Sequence, residues 1–425
     1  MTLIDLGEIR DELGPPTPSR RPRAVGRPLR VGLVLVLLLA VLAAAAPPSG
    51  RVYAVVPGTS GALAFLAPGM VLVAEPPAGG GHLTAYPLPD RATARPQRPK
   101  PLWRVPRPIS GRVVWVQAAL PGTVLVSAEG DGERRVETAA LDAATGRLRW
   151  RQPGYPIDDR AGALLHLVGE DTGGNSMRAV DLDSGAVRWS RPGRLENLIV
   201  QARDGAIEAL VLVGPKGSTE VLDPGTGAAR VTGNLPRTAS LGAVQYQVVG
   251  DLLVSVEPGL VRGYRLDDLT PRWQAPLSFV DSAHECGELI CVFAATGNVR
   301  ALDPADGAVR WEAPQTGILP NAGRRALAVT QQTSGLSRMA VLDLATGRQV
   351  ADLGSWQPTW RGDDGPVLGT RALPGGGLLV ALLRPDLDGP PAATPLPGAL
   401  DCNAENSMVV CRRKSGGFGV WRLPG

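Results

Sequence analysis

Ten residues, Leu141 to Trp150, read LDAATGRLRW and hold the groups that a ligand loop needs. Asp142 and Arg149 would anchor a polar ligand, and Trp150 offers a stacking face. A second candidate is DSAHEC, residues 281–286, where acids, a histidine and a cysteine crowd together as metal ligands do. A polar loop leading into a disulfide hairpin is the reading preferred there. The other histidines, His82 and His166, stand far off in sequence and in no HExxH or triad-like context, and His166 in ALLHLVG reads as a strand residue rather than a base. The chain has neither a GxxxxGK[ST] phosphate loop nor a GxSxG elbow. PAGGGHL and LPGGGLL lack phosphate-binding context and read as loops between strands, and the RGD inside WRGDDGP reads as a turn.

Four cysteines fall in two close pairs, Cys286 with Cys291 and Cys402 with Cys411. If each pair faces itself across a hairpin, the turns fall at Glu288–Leu289 and Asn406–Ser407. Directly opposed strand residues come within disulfide range. CxxxxC and CxxxxxxxxC are not spacings that recur in zinc sites, so disulfides are expected rather than a metal, and with them an oxidising compartment.

The elements around LDAATGRLRW change its meaning, because the stretch returns. VDLDSGAVRW (180–189), LDPGTGAARV (222–231), LDPADGAVRW (302–311) and LDLATGRQVA (342–351) are copies, and LDDLTPRW (266–273) is a degenerate one. The leading residues Asp142, Asp181, Asp223, Asp267, Asp303 and Asp343 stand 39, 42, 44, 36 and 40 apart. Four short strands with their turns need about 40 residues, one propeller blade. Each copy follows two apolar strand-like runs. Its Asp can accept backbone N–H groups two to three residues on, and Gly146, Gly185, Gly227, Gly307 and Gly347 can take a positive φ without a Cβ clash. The Arg beside each Trp is expected on the other strand face, toward solvent or the next blade. Trp103, in PLWRVP, marks an earlier copy stretched by the insert DRATARPQRPK.

Asp-x-x-Thr-Gly-x-x-x-Trp at this spacing resembles the tryptophan-docked blades of the PQQ-like quinoprotein propellers, which include quinoprotein alcohol dehydrogenases and BamB-like assembly lipoproteins. The resemblance covers residues from about 50 to 425. It implies an all-β propeller, most often of eight blades of four antiparallel strands, in which Trp103, Trp150, Trp189, Trp273 and Trp311 each pack on the neighbouring blade. Val231 and Ala351 replace the tryptophan in two blades, where weaker contacts are expected. Eight blades are expected, with seven or nine as alternatives. GPVLGTRAL and GGGLLVALLRPDLDG read as a divergent blade and MVVCRRKSGGFGVWRL as inner strands of the last. The early strand RVYAVVPG (51–58) could close that blade from the N-terminal side. Quinoprotein dehydrogenases use adjacent cysteines near the cofactor and a calcium site. This chain has no adjacent cysteines and no assignable calcium ligands, so neither PQQ nor calcium is expected.

Composition agrees with many short strands. Gly 53 and Pro 40 supply turns, while 44% hydrophobic residues is too many for a disordered chain. The net charge is +4, of which six Arg against four acids place +2 in the first 30 residues. The remainder is too evenly balanced for a nucleic-acid stripe, so no nucleic-acid partner is expected. Lys occurs only at 100, 216 and 414 while Arg, Ala, Gly and Pro abound, the pattern of a high-GC bacterium.

Residues 31–46, VGLVLVLLLAVLAAAA, lack polar side chains. At ~1.5 Å per residue they span about 24 Å, short of the roughly 30 Å hydrocarbon core but feasible with flanking residues. The Arg cluster before the run puts residues 1–30 in the cytoplasm and the domain from 51 to 425 outside. A retained single-pass helix is the preferred reading; a cleaved signal peptide is the alternative. MTLIDLGEIRDELG has near-helical apolar spacing but reads as a mostly disordered tail. The expected function is a non-catalytic, extracytoplasmic scaffold binding an envelope or secreted protein or a glycan, with a quinoprotein-type oxidoreductase as the alternative. A sensor reading rests only on the tail. Any specific function is expected in the unrepeated loops 89–100, 170–175, 281–286 and 355–400.

Overall fold

A computed structural model describes residues 52–424 apart from 78–80, 90–94, 121, 131–135, 158–163, 172–173, 193–196, 204–205, 215, 237–243, 295–296, 316, 320–322 and 360–366. The expected tail (1–30), the apolar run (31–46) and WRGDDGP lie outside the described residues. Among the described residues every regular element except a single 3₁₀ position is a β-strand, and no helix is long and apolar enough to cross a membrane.

The strands form antiparallel sheets in chain order. Their sequences explain why: runs such as MVLVA, TVLVSAE and LLVSVE are rich in β-branched and apolar residues and are buried on both faces. Seven sheets have four strands and the eighth has seven. In the eighth, the long strand Gln349–Thr359 pairs backward through its first part and forward through residues 357–359. It ends one four-stranded unit and begins the next. Among the described residues the eight sheets therefore contain nine four-stranded units, where eight were expected and nine was an alternative, because the shared strand serves two units; they span 63–106, 112–153, 155–192, 198–234, 245–275, 280–313, 317–356, 357–397, and 399–422 with 52–56.

The units close on themselves. Nine apolar clusters fill the structure, each built from two consecutive units, and the last joins Val410 and Val420 of unit nine to Ala64 and Val71 of unit one. The core is thus a circle of inter-sheet layers rather than one central core, the arrangement of a β-propeller. First strands of consecutive units approach each other, as Leu63–Ala67 does with Arg112–Leu120 and Gln245–Val249 with Val280–Cys286, so first strands line the axis and fourth strands the rim.

Closure uses both ends of the domain. Val52–Val56 pairs antiparallel with Phe418–Arg422 as the fourth strand of unit nine, the role anticipated for RVYAVVPG. Two expectations about loops are corrected. DSAHEC is part of the first strand of unit six, and 355–400 holds most of unit eight, including Val367–Ala372 and Gly377–Leu383.

Candidate functional site

The repeated Asp turn is a self-contained hydrogen-bonded device. Asp142 Oδ1 accepts the Thr145 backbone N–H at 3.0 Å and its hydroxyl at 2.8 Å, while Gly146 N–H donates to the Asp142 carbonyl at 2.8 Å. Asp181 with Ser184, Asp223 with Thr226 and Asp343 with Thr346 repeat this geometry, and Asp303 accepts from Ala305 N–H instead. Gly146 has φ +70°, and Gly185, Gly227, Gly307 and Gly347 match it within a few degrees.

Arg149 reaches the next unit, one of the two destinations expected for it, and also returns to its own motif. Its guanidinium returns to Asp142 Oδ2 at 2.8 Å in the same unit and also lies 3.6 Å from Asp183 of the next. Arg188 to Asp181, Arg230 to Asp223 and Arg310 to Asp303 repeat the pairing. A carboxylate accepting this many donors is stabilised in its charged form. Arg149, then Thr145, hold Asp142 at a pKa of about 2, and Arg230 with Thr226 hold Asp223 at about 2. Asp181, Asp303 and Asp343 shift the same way, led by the bonds from Arg188, Ala305 N–H and Thr346 respectively.

The tryptophans are docks. Trp103, Trp150, Trp189, Trp273 and Trp311 each donate their indole N–H, at 2.7–2.9 Å, to the carbonyl of the residue after the Asp of the next unit: Ala143, Leu182, Pro224, Pro304 and Leu344. Each ring covers the glycine of that turn. A Cβ on Gly146 would stand 2.5 Å from the Trp103 ring, and the other four glycines are as tightly covered. Glycine at these positions is therefore required twice, by its φ and by the ring above it.

Where the tryptophan is missing, a different residue fills the layer. Unit four has Val231, and Leu269 of the degenerate turn, at φ +57°, reaches back onto Gly233 and joins that cluster. Unit seven has Ala351, and Trp356 five residues on is 2% exposed, rests on Gly369 of unit eight and lies under Arg371 at 3.9 Å. The sequence signal for Leu269 was absent; that for Trp356 was a tryptophan just beyond a vacant position.

Both cysteine pairs are disulfides joining the first two strands of their units. Cys402 pairs directly with Cys411 around Asn406–Ser407. The other register differs from expectation. Cys286 pairs with Leu289 and His284 with Cys291, so the turn is Gly287–Glu288, with Gly287 at φ +64°. His284 stacks edge-on against Phe293, and among the described residues no group of three His, Cys, Asp or Glu is placed to hold a metal. His166 is a strand residue, 2% exposed, with Nε2 at 2.8 Å from the same Pro224 carbonyl that takes the Trp189 N–H.

From the insert 89–100, Gln97 acts as a strap. Val55 N–H donates to Gln97 O at 2.8 Å and Gln97 N–H to Tyr53 O at 2.9 Å, so Gln97 covers the outer edge of the closing strand. Exposed large apolar residues fall in two sets. Leu102, Leu148, Val187, Val309 and Val350 stand singly on or beside fourth strands, whereas Leu63, Tyr155 and Phe279 stand where first strands begin, at the end of the ring opposite the Asp turns. Phe279 is 72% exposed at φ +61°, a conformation that bulky residues rarely hold.

Residues 95–256 match the family described as outer membrane protein assembly factor BamB. That stretch runs from the strap through three complete Asp-turn units into the fifth. No curated protein matches the chain. Among solved structures, BamB from Moraxella catarrhalis is 14% identical, covering 85% of this chain and 94% of its own, at a TM-score of 0.43. The computationally designed Ika8 protein is 15% identical over 74% and 97%, at 0.47, and the C-terminal WD40 domain of Sif2 is 11% identical over 89% and 97%, at 0.44.

Proposed function

We propose that this chain is a non-catalytic scaffold that binds another envelope or secreted protein on the end of its ring. The observation that carries the reading is where the motif residues go. Asp, Gly, Arg and Trp, the groups that could have made a ligand loop, are all engaged in building and joining the units. The partial match to a family named for outer membrane protein assembly supports the same class of role. Phe279, held out to solvent by an unusual backbone, is the kind of aromatic anchor that interfaces use.

The domain works outside the cytoplasm in this reading, tethered by the apolar run 31–46. Two disulfides in a chain with no other cysteine support an oxidising compartment.

A PQQ-dependent enzyme fits the residues poorly. PQQ is a tricarboxylate, and such a ligand calls for accessible cations and, in the quinoproteins, adjacent cysteines. Each cysteine here is bonded five or nine residues away, and the axis-lining strands carry Arg112 and Arg203, both paired to glutamates. The test is to incubate the purified chain with PQQ and calcium. No cofactor absorbance and no dye-linked alcohol or sugar oxidation is expected; cofactor-dependent turnover would overturn the proposal.

A further inference from the structure

We infer that the axis of the ring is a binding site for a neutral polyhydroxylated ligand, a glycan chain, separate from the protein-binding role proposed above. The two faces of the first strands are covered by neighbouring units and one edge is bonded to the second strand, so their accessible side chains face the axis or its mouth. Five of the chain's twelve glutamines lie there: Gln117, Gln201, Gln245, Gln247 and Gln357. All are exposed or half-buried. This is a strong concentration, since first strands make up a small part of the chain.

A carboxamide offers two donors and an acceptor on a neutral group. Gln201 donates one N–H to the Gly250 carbonyl at 2.7 Å, which holds that amide and leaves further capacity on it, and Gln247 makes a long 3.4 Å contact to the neighbouring Val248 carbonyl. Paired donors and acceptors at fixed positions match the hydroxyl groups along the edge of a sugar ring.

Aromatic faces complete the set. Trp115 and Tyr155, on the first strands of units two and three, lie with ring centroids 5.8 Å apart and tilted by 48°. Tyr155 is 42% exposed at the mouth. A pyranose presents an apolar C–H face that stacks on such rings while its edge meets amides.

Charge decides against other ligand classes. Among the described first strands there is no lysine, and Arg112 and Arg203 are engaged by Glu129 at 3.3 Å and Glu208 at 3.8 Å. Asp281, Glu285, Asp401 and Glu405 add negative charge on these strands. A nucleic acid, phosphosugar or acidic polysaccharide would meet more carboxylates than cations on these strands, with each arginine already beside a glutamate.

The test is isothermal titration of the full-length chain with cellohexaose, maltohexaose and chitohexaose in turn, and with polygalacturonate as the anionic comparison. At least one neutral hexasaccharide is expected to bind. Gln245→Leu, at an exposed position, is expected to weaken it by about tenfold or more with the melting temperature unchanged, and Tyr155→Ala, which also gives up the ring contact with Trp115, is expected to weaken it by as much. Trp115→Ala also loosens a packed layer, so the exposed variants carry the decision. Three outcomes overturn the inference: no heat with any neutral sugar, as for an axis filled only by a protein segment; preference for polygalacturonate; or affinity indifferent to both exposed variants.

Discussion

Protonating Asp142 would weaken a set of bonds that includes those from the Thr145 N–H, the Thr145 hydroxyl and the Arg149 guanidinium. Its pKa is depressed in the fold, as are those of its counterparts, so their contribution is fully present above the ordinary carboxylate value of about 4. It is lost as pH falls through the folded value of about 2. The melting temperature, followed by circular dichroism, is therefore expected to decline between about pH 4 and 2. Asp142→Asn, which keeps the shape but not the charge, should flatten that decline. The tryptophans make a second prediction. Trp150 is 7% exposed in the layer between units two and three. Trp150→Ala should destabilise the domain by ~3–5 kcal/mol in denaturant unfolding; a near-neutral change would return Trp150 to the surface. The roles of Asp142, Gly146 and Trp150 were legible because six copies showed them to be punctuation. The bond from Arg149 back to Asp142 was not, since a strand pattern gives the face on which a side chain emerges but not every partner a long flexible one finds.

The closing strand Val52–Val56 holds the ring at the seam where the first and last strands of the domain pair, and the strap at Gln97 covers its outer edge. Removing the Gln97 N–H with Gln97→Pro should speed amide exchange of residues 52–56 and 418–422, leaving the strands of units two to six protected. Uniform protection would show that the strap is incidental. Non-reducing peptide mapping is expected to return Cys286–Cys291 and Cys402–Cys411; free thiols would contradict the extracytoplasmic reading. These hairpins show what sequence could and could not say about elements. Cysteine spacing suggested both bridges. Register was read correctly only at Asn406–Ser407, because at 286–291 the glycine decides: Gly287 in a left-handed turn sets Cys286 opposite Leu289, and the sulfurs then meet diagonally. The strap was visible only as an insert, since nothing in DRATARPQRPK shows which strand it will meet.

At the scale of the molecule, nine units close a circle that the motif count alone understated. Unit eight has no Asp turn and begins in the same strand that ends unit seven, and unit nine is divided between the two ends of the domain. Sequence periodicity reports repeated chemistry, whereas closure depends on the apolar layer each unit shares with the next. Unit eight shares one with each neighbour despite lacking the motif. A chain built this way displays two ends. Arg147 lies in an Asp turn, while Phe279 follows a fourth strand at the opposite end, so a photoreactive residue at each position samples both ends in living cells. A discrete protein adduct, repeatedly the same, is expected from the Phe279 end and none from the Arg147 end. No adduct from either position in cells that contain the intact chain would contradict a protein-binding scaffold.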